Sequence, residues 1–384
     1  MNESSGLFVP SAADVVGGAN VVPVEAGQDW AREAAAFVVD QAGGSDVAVL
    51  RDVQPHRRHG VYEMALSETL VFGHHHLHAF LTSPDRFDCQ EIEHYRRRLD
   101  YHVDNHPGRQ LPMPQIHRVD GRFEVSYRNL AGLRIADVGG RVVFGTPTEP
   151  LNWGMWILQA LPIAAGFVAE RSADRMLIHA GRPWQLGLLA AAGLSAREIV
   201  HQELGHTYYC RDLRVTQYTQ VDLVPTPSDR ALYARIGRTL APQAGSGRKR
   251  RIFLSRRSVS KAAANYRALT NEDELIDRMA ELGFEIHEPE QLAFADQIAL
   301  FREAEMVVGL GGAALFNVVF CEPGTSVVSI ESSSIFIHNH AMLFGSLGHR
   351  FGFILGTQDE SDPTPIHKRW SVDVAGVVRT LRRI

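Results

Sequence analysis

The stretch from Arg251 to Glu331, where short apolar runs alternate with helix-period ones, most narrows the folds open to this chain. Met306-Val307-Val308 and Thr325-Ser326-Val327-Val328-Ser329-Ile330 are strand-like, and between them lies the small-residue turn Gly309-Leu310-Gly311-Gly312-Ala313-Ala314. The rhythm begins at a strand from Arg251 to Ser255. It runs on through a helix at Asn271 to Leu282, a strand at Phe284 to His287, a helix at Phe294 to Ala304 and a helix at 313 to 320. Such alternation predicts a parallel, doubly wound α/β sheet, whose ligands gather beyond the carboxyl ends of the strands.

Two features of this stretch suit an anion. A strand running into small residues and then a helix start leaves backbone N–H groups without intrahelical acceptors, and an anion can satisfy them. Upstream, Arg251-Ile252-Phe253-Leu254-Ser255-Arg256-Arg257 reads as a strand ending in two guanidinium groups, whose forked donors match phosphate. Together they suggest a nucleotide-diphosphate site. The glycine turn alone has an equally weighted second reading, in which small residues only let a helix pack closely on a strand. Asn317 and Glu331 follow on the same side of the predicted sheet. A carboxylate at Glu331 could accept both hydroxyls of a ribose, or could simply cap the Ser332-Ser333-Ser334 turn. Thr270-Asn271-Glu272-Asp273 reads as a helix cap followed by acidic residues at the positive end of the dipole, and Asn271 or Glu272 could also fix the two arginines.

At 384 residues the chain is too long for one ordinary core, so two domains are expected. Hydrophobic residues at 45% and charged ones at 22% describe a globular protein, and a net charge of -5 argues against nucleic-acid binding through a broad basic surface. The basic cluster Gly247-Arg248-Lys249-Arg250-Arg251 reads as a solvated linker beside the phosphate-facing strand. Lysine stands only at 249, 261 and 368, a bias like that of GC-rich bacterial coding. Cys89, Cys210 and Cys321 fit neither a disulfide framework nor zinc spacing, which points to a reducing compartment. The first residues lack a basic, apolar leader and no run approaches about 18 apolar residues, so a cytoplasmic protein without a transmembrane segment is expected.

Upstream of the α/β stretch, residues 1 to 27 read as an extended lead-in, 28 to 42 as a helix, and Asp46 to Phe72 and Arg122 to Phe144 as short strands in hairpins. Asp88 to Asp104 carries a helical charge pattern. From Asn152 the texture turns to βα: a helix over Trp153 to Arg171, a strand over Arg175 to His179 and a helix from Trp184 closed by Gly193. A helix at Arg230 to Leu240 precedes a linker at Ala241 to Gly247. The run His74-His75-His76-Leu77-His78 invites a metal, but neighbouring histidines of a strand point to opposite faces and no carboxylate or cysteine cluster adjoins them. A structural or surface role is expected there. His338 and His340, beyond Glu331, read either as an exposed pair or as supports for the nucleotide side.

These residues resemble glycosyltransferase family 61. The likeness rests on Leu254-Ser255-Arg256-Arg257, Asn271-Glu272, Gly283-Phe284, Pro289 to Phe294, Gln297-Ile298, Phe301, Ala304, the Gly309 to Asn317 turn, and Pro323-Gly324 with Glu331. A second block is Asn152-Trp153-Gly154-Met155-Trp156-Ile157-Leu158-Gln159-Ala160-Leu161-Pro162. The resemblance implies a GT-B-like α/β fold, two Rossmann-like domains facing a cleft, here with an extra N-terminal β-rich region. The corresponding division is residues 1–145 as the extension, 146–243 with part of 28–145 as the acceptor-side domain, 248–360 as the nucleotide-sugar domain and 361–384 as a tail helix packing back. It further implies inverting, metal-independent transfer from a nucleotide-sugar donor, UDP-sugar foremost, to a glycan or other hydroxyl acceptor, with no cofactor.

Carried onto this chain, Arg256 and Arg257 would face the diphosphate, with Asn271 and Glu272 nearby, and Gly311, Gly312 and Ala313 would present N–H donors. Leu292 would meet the base, Asn317 and Glu331 would sit near the ribose, and Asn152, Met155 and Trp156 would lie on the acceptor side. The sequence departs from the family where Met155 and Gly311 replace histidines. The base then falls to Glu149, Asp137 or His179, or the chain has changed its donor, or it is a binding or scaffold protein of a polysaccharide-assembly pathway. A sugar-nucleotide epimerase is a further option.

Overall fold

The computed structural model describes residues 134–147, 149–170, 173–217, 224–244, 249–262, 267–334, 337–364 and 368–384. It adds 34–41 and the segments 20–25, 28–32, 54–58, 61–74, 77–83, 86–88, 115–119 and 122–126. The chain divides into two compact units, one of Met1–Gln28 and His59–Val221, the other of Asp29–Arg58 and Asp222–Ile384. It is a mixed α/β protein with a large parallel sheet and helices.

The second unit holds a six-stranded sheet in the order Glu285–His287, Arg250–Leu254, Ala304–Leu310, Ser326–Glu331, Arg350–Leu355, Phe37–Asp40. Every pairing in it is parallel. From Arg250–Leu254 the chain first winds outward to Glu285–His287, then returns to the other flank at Ala304–Leu310. That reversal opens a crevice between the carboxyl ends of the two strands, where doubly wound sheets take their ligands. The strands are nearly continuous apolar runs because helices cover both faces. Phe253, Val308, Val328, Ile330 and Ile354 join Leu275 and Met279 of the Glu272–Glu281 helix and Val374, Val377 and Leu381 of the Val374–Leu381 helix in one buried core.

Phe37–Asp40 corrects the expected helix at 28–42: Gln28–Arg32 and Phe37–Asp40 are both strands. Phe37-Val38-Val39 finds its partner in Arg350–Leu355, far along the chain, and this tertiary pairing overrides local helix propensity. The Pro227–Leu240 helix starts at Thr226, whose hydroxyl accepts from Asp229 N at 3.0 Å while Asp229 returns a bond to Thr226 N.

The first unit has an eight-stranded mixed sheet in the order Ile199–His201, Arg175–Ile178, Ile135–Phe144, Thr207–Gln217, Val61–His74, Leu77–Ser83, Arg86–Asp88, with Asn20–Glu25 also paired to Val61–His74. Its first four strands are parallel, and they wind from Ile135–Phe144 outward and back to Thr207–Gln217. A second crevice of the same kind follows. After it comes a helix made of Trp153–Met155, a π turn at Trp156–Ala160 and Leu161–Glu170. Pro162 cannot donate to the carbonyl of Leu158, and the ladder re-registers so that Leu161 N–H reaches Trp156 O. Most of the charged segment 88–104, Val47 to Leu50, His75 and His76 lie outside the described residues. Among the described residues no helix is long and apolar enough to cross a membrane.

Candidate functional site

At the second unit's crevice, a buried carboxylate sets the path of the backbone. Glu272 Oε1 accepts from Ser255 Oγ at 2.7 Å and from Arg256 N at 2.8 Å. The turn so held sends the Arg256 guanidinium toward the neighbouring strand end, where Nη1 donates to Gly311 O at 2.7 Å. A Cβ on Gly312 would overlap that same Nη1, so Gly312 is required by close approach. Arg256 and the glycine turn are thus joined directly. The Ala313–Phe320 helix begins immediately after Gly312, and its first N–H groups have no intrahelical acceptor.

Beneath the turn sits Glu331, fully buried at 0% exposure. Its Oε1 accepts from Ser329 Oγ at 2.5 Å and lies 2.6 Å from His340 Nδ1, with Arg267 Nη2 3.8 Å from Oε2. Burial alone would raise its pKa, but His340, Ser329 and Arg267 together hold the carboxyl below its usual range. A Cβ on Gly311 would fall on the Glu331 carboxylate, so no side chain fits there. Glu331 therefore supports the turn from below instead of facing a ribose. His340 is buried against it and is not one of an exposed pair.

The remaining donor-side residues are distributed differently from the sequence expectation. Arg257 turns to Asp273 and Glu288, at 3.3 Å each, and Glu272 orders the backbone and not a guanidinium. Asn271 holds the backbone of Val372 through Nδ2 at 2.8 Å and Oδ1 at 3.2 Å, and Asn317 is buried against Gln297 at 3.2 Å. Leu292 lies past the carboxyl end of Glu285–His287, its carbonyl accepting from Gln297 Nε2 at 3.2 Å. Asp273, expected only to cap its helix, is one of the two carboxylates on Arg257.

On the first unit, the loops after Phe144 and Ile178 interlock at the carboxyl edge. Asn152 caps the helix start, its Oδ1 accepting from Gly154 N at 2.8 Å and Met155 N at 3.4 Å while Nδ2 donates to Glu149 Oε2 at 2.7 Å. Trp156 is buried, its Nε1 on Pro150 O at 2.7 Å, and Trp184 packs against it and Trp153. Gln185 Nε2 also donates to Pro150 O, at 2.8 Å. His179, half-buried, receives no direct help from Glu149 among the described contacts; its N–H donates to Thr146 Oγ1 at 2.9 Å. Glu149 and His179 thus share this edge. Asp137 does not: it is exposed near the start of Ile135–Phe144, at the opposite end of that strand.

Sequence reasoning passed over Thr146, His201 and Gln202. Each stands at or just beyond a strand's carboxyl end, which is the one signal that could have found them. Among the described residues no three His, Cys, Asp or Glu side chains group as a metal site requires.

A family model described as glycosyltransferase 61 matches residues 74–328, well over half of the chain. None of the curated proteins compared matches it.

Proposed function

The chain belongs to the glycosyltransferase 61 family and so has a glycosyltransferase's role; on that premise we propose that it moves a sugar from a nucleotide-diphosphate donor, UDP-sugar foremost, to a glycan or other hydroxyl acceptor, by inversion and without a metal. The observation that supports a diphosphate donor is the joining of Arg256 to the Gly311-Gly312 turn at the reversal of the second sheet. When the anomeric carbon parts from the diphosphate, the bond's electron pair goes to phosphate oxygen, and fixed cationic and N–H donors aimed there lower the barrier. The helix-start amides after Gly312 and the guanidinium of Arg256 are such donors.

Two α/β units with like winding suit a GT-B layout, in which one unit takes the nucleotide and the other the acceptor. On this reading the base that the acceptor hydroxyl requires comes from the first unit, from Glu149 or His179. Calorimetric titration of UDP, paired with a transfer assay over UDP-sugars, tests the reading. Binding of UDP by the wild type, weakened at least tenfold in Arg256→Ala, is expected. Absence of UDP binding would remove the donor assignment, and binding without turnover would turn the chain into a carrier.

A further inference from the structure

We infer that His179 and His201 form a two-imidazole clamp for vicinal hydroxyls of a sugar acceptor, His179 taking the proton of the hydroxyl to be glycosylated and His201 donating to its neighbour. The inference rests on the glycosyltransferase reading above and names the acceptor chemistry of the first unit.

The two rings lie 5.3 Å apart, centroid to centroid. Their tautomers are opposite, and the backbone sets both. A carbonyl only accepts, so His179 Nδ1, 2.9 Å from Gln202 O, carries the hydrogen, and its Nε2 keeps a lone pair. An amide only donates, so His201 Nδ1, which takes Ala180 N–H at 3.1 Å, keeps its lone pair and leaves the hydrogen on Nε2. The pair therefore offers one acceptor and one donor, which is what two adjacent hydroxyls require.

Gln202 holds this arrangement in place. It is wholly buried, its N–H donates to Ile178 O at 2.9 Å, and its Oε1 accepts the Thr146 hydroxyl at 2.5 Å. Thr146 in turn accepts His179 N–H, so backbone and ring of His179 are fixed from both sides. Among the described residues Gln202 Nε2 is buried without a partner, a donor left free to face a ligand. Burial, with His201 and Arg182 as the charged or titratable groups nearby, holds the His179 pKa below its ordinary value against the raising effect of the Gln202 carbonyl. The imidazole is then neutral and ready to accept a proton near neutral pH.

The step balances without another reagent. The acceptor oxygen forms the new bond to the anomeric carbon, the bond from that carbon to the diphosphate breaks with its electrons on the diphosphate, and the proton rests on His179 Nε2 until water removes it.

The full chain is tested with UDP-sugars and with methyl hexopyranosides and their singly deoxygenated forms. In His179→Gln, transfer is expected to fall about 10²–10⁴-fold and the acid limb of the pH profile of kcat/KM to disappear, with UDP binding and Tm unchanged. In His201→Gln the acceptor KM rises, and kcat stays within a few-fold. A His179→Gln variant with wild-type rate and pH profile overturns the inference. ¹⁵N NMR of the imidazoles decides it apart from activity: a hydrogen on His179 Nε2, or on His201 Nδ1, sinks the clamp. If UDP fails to bind while methyl mannopyranoside still shifts both imidazole signals, the donor reading fails and the clamp stands.

Discussion

The carboxyl edges of the two sheets share one winding and hold opposite chemistry. In the second unit the edge is ionic: Arg256 on the Gly311 carbonyl, Glu272 under the arginine's backbone, Glu331 with His340 and Arg267 beneath the turn. In the first unit it is built mainly of uncharged hydrogen bonding: Thr146, Gln202 and two imidazoles fixed in set tautomers by backbone groups, with the Glu149 carboxylate held by Asn152 at the same edge. Fixed charge suits a ligand that gains charge as it leaves, and neutral donors and acceptors suit a hydroxyl, whose proton must move while its oxygen stays. On the proposed reading, topology sets where the ligands lie, and the residues just past the strand ends select which ligands they are.

The comparison breaks most readily at Glu331. Replacing it with alanine leaves His340 and Arg267 buried without their carboxylate, and a loss of about 3–5 kcal/mol is expected in denaturant unfolding of the second unit. Wild-type stability in Glu331→Ala would mean that the ionic edge is not what holds the turn. Next in size, Arg256→Ala should lower kcat about 10²–10³-fold with little change in Tm, as loss of one preorganised donor to a developing anion does. An equal fall in Tm would recast Arg256 as scaffolding for Gly311.

A third test uses His349, which burial drives down to a pKa of about 4 against the weaker raising effect of the Val318 carbonyl on Nε2. Among the described residues its Nδ1 is buried without a partner, so a second proton there is not stabilised by an acceptor. The unfolded chain binds this proton near the ordinary histidine value while the folded one does not, so stability is intact above about 6.5 and falls as pH drops toward 4, by about 3 kcal/mol in all. Denaturant midpoints measured between pH 7 and 4 should show this slope, and His349→Gln should flatten it. The smallest expected effect, about 1 kcal/mol, is the loss of the helix cap in Thr226→Ala, read from the same midpoints.

Legibility in the sequence followed burial. The second unit's strands were readable because Met306 to Val308 and Val327 to Ile330 are covered on both faces and so written as unbroken apolar runs. The Arg256 and Gly312 meeting was readable for the same reason, since both follow such strands. Phe37–Asp40 was misread because its partner lies hundreds of positions away and leaves no local trace. Glu331 and Asn317, expected near a ribose, are both buried, and nothing in the sequence signals that depth: position near a strand end says little about which way a side chain points. Thr146 and Gln202 were missed because single neutral polar residues have no spacing to detect, although their buried hydrogen bonds define the first unit's edge.

The outermost strand of the second sheet has a consequence for how the molecule can be divided. Because Phe37–Asp40 closes the flank of Arg350–Leu355, a piece beginning at Asp222 would carry a bare row of amides and carbonyls along its last strand, ready to recruit a stranger's backbone. The strand Phe37–Asp40 is thus a seal, and the sheet that it closes is sound only when residues 29–58 accompany 222–384.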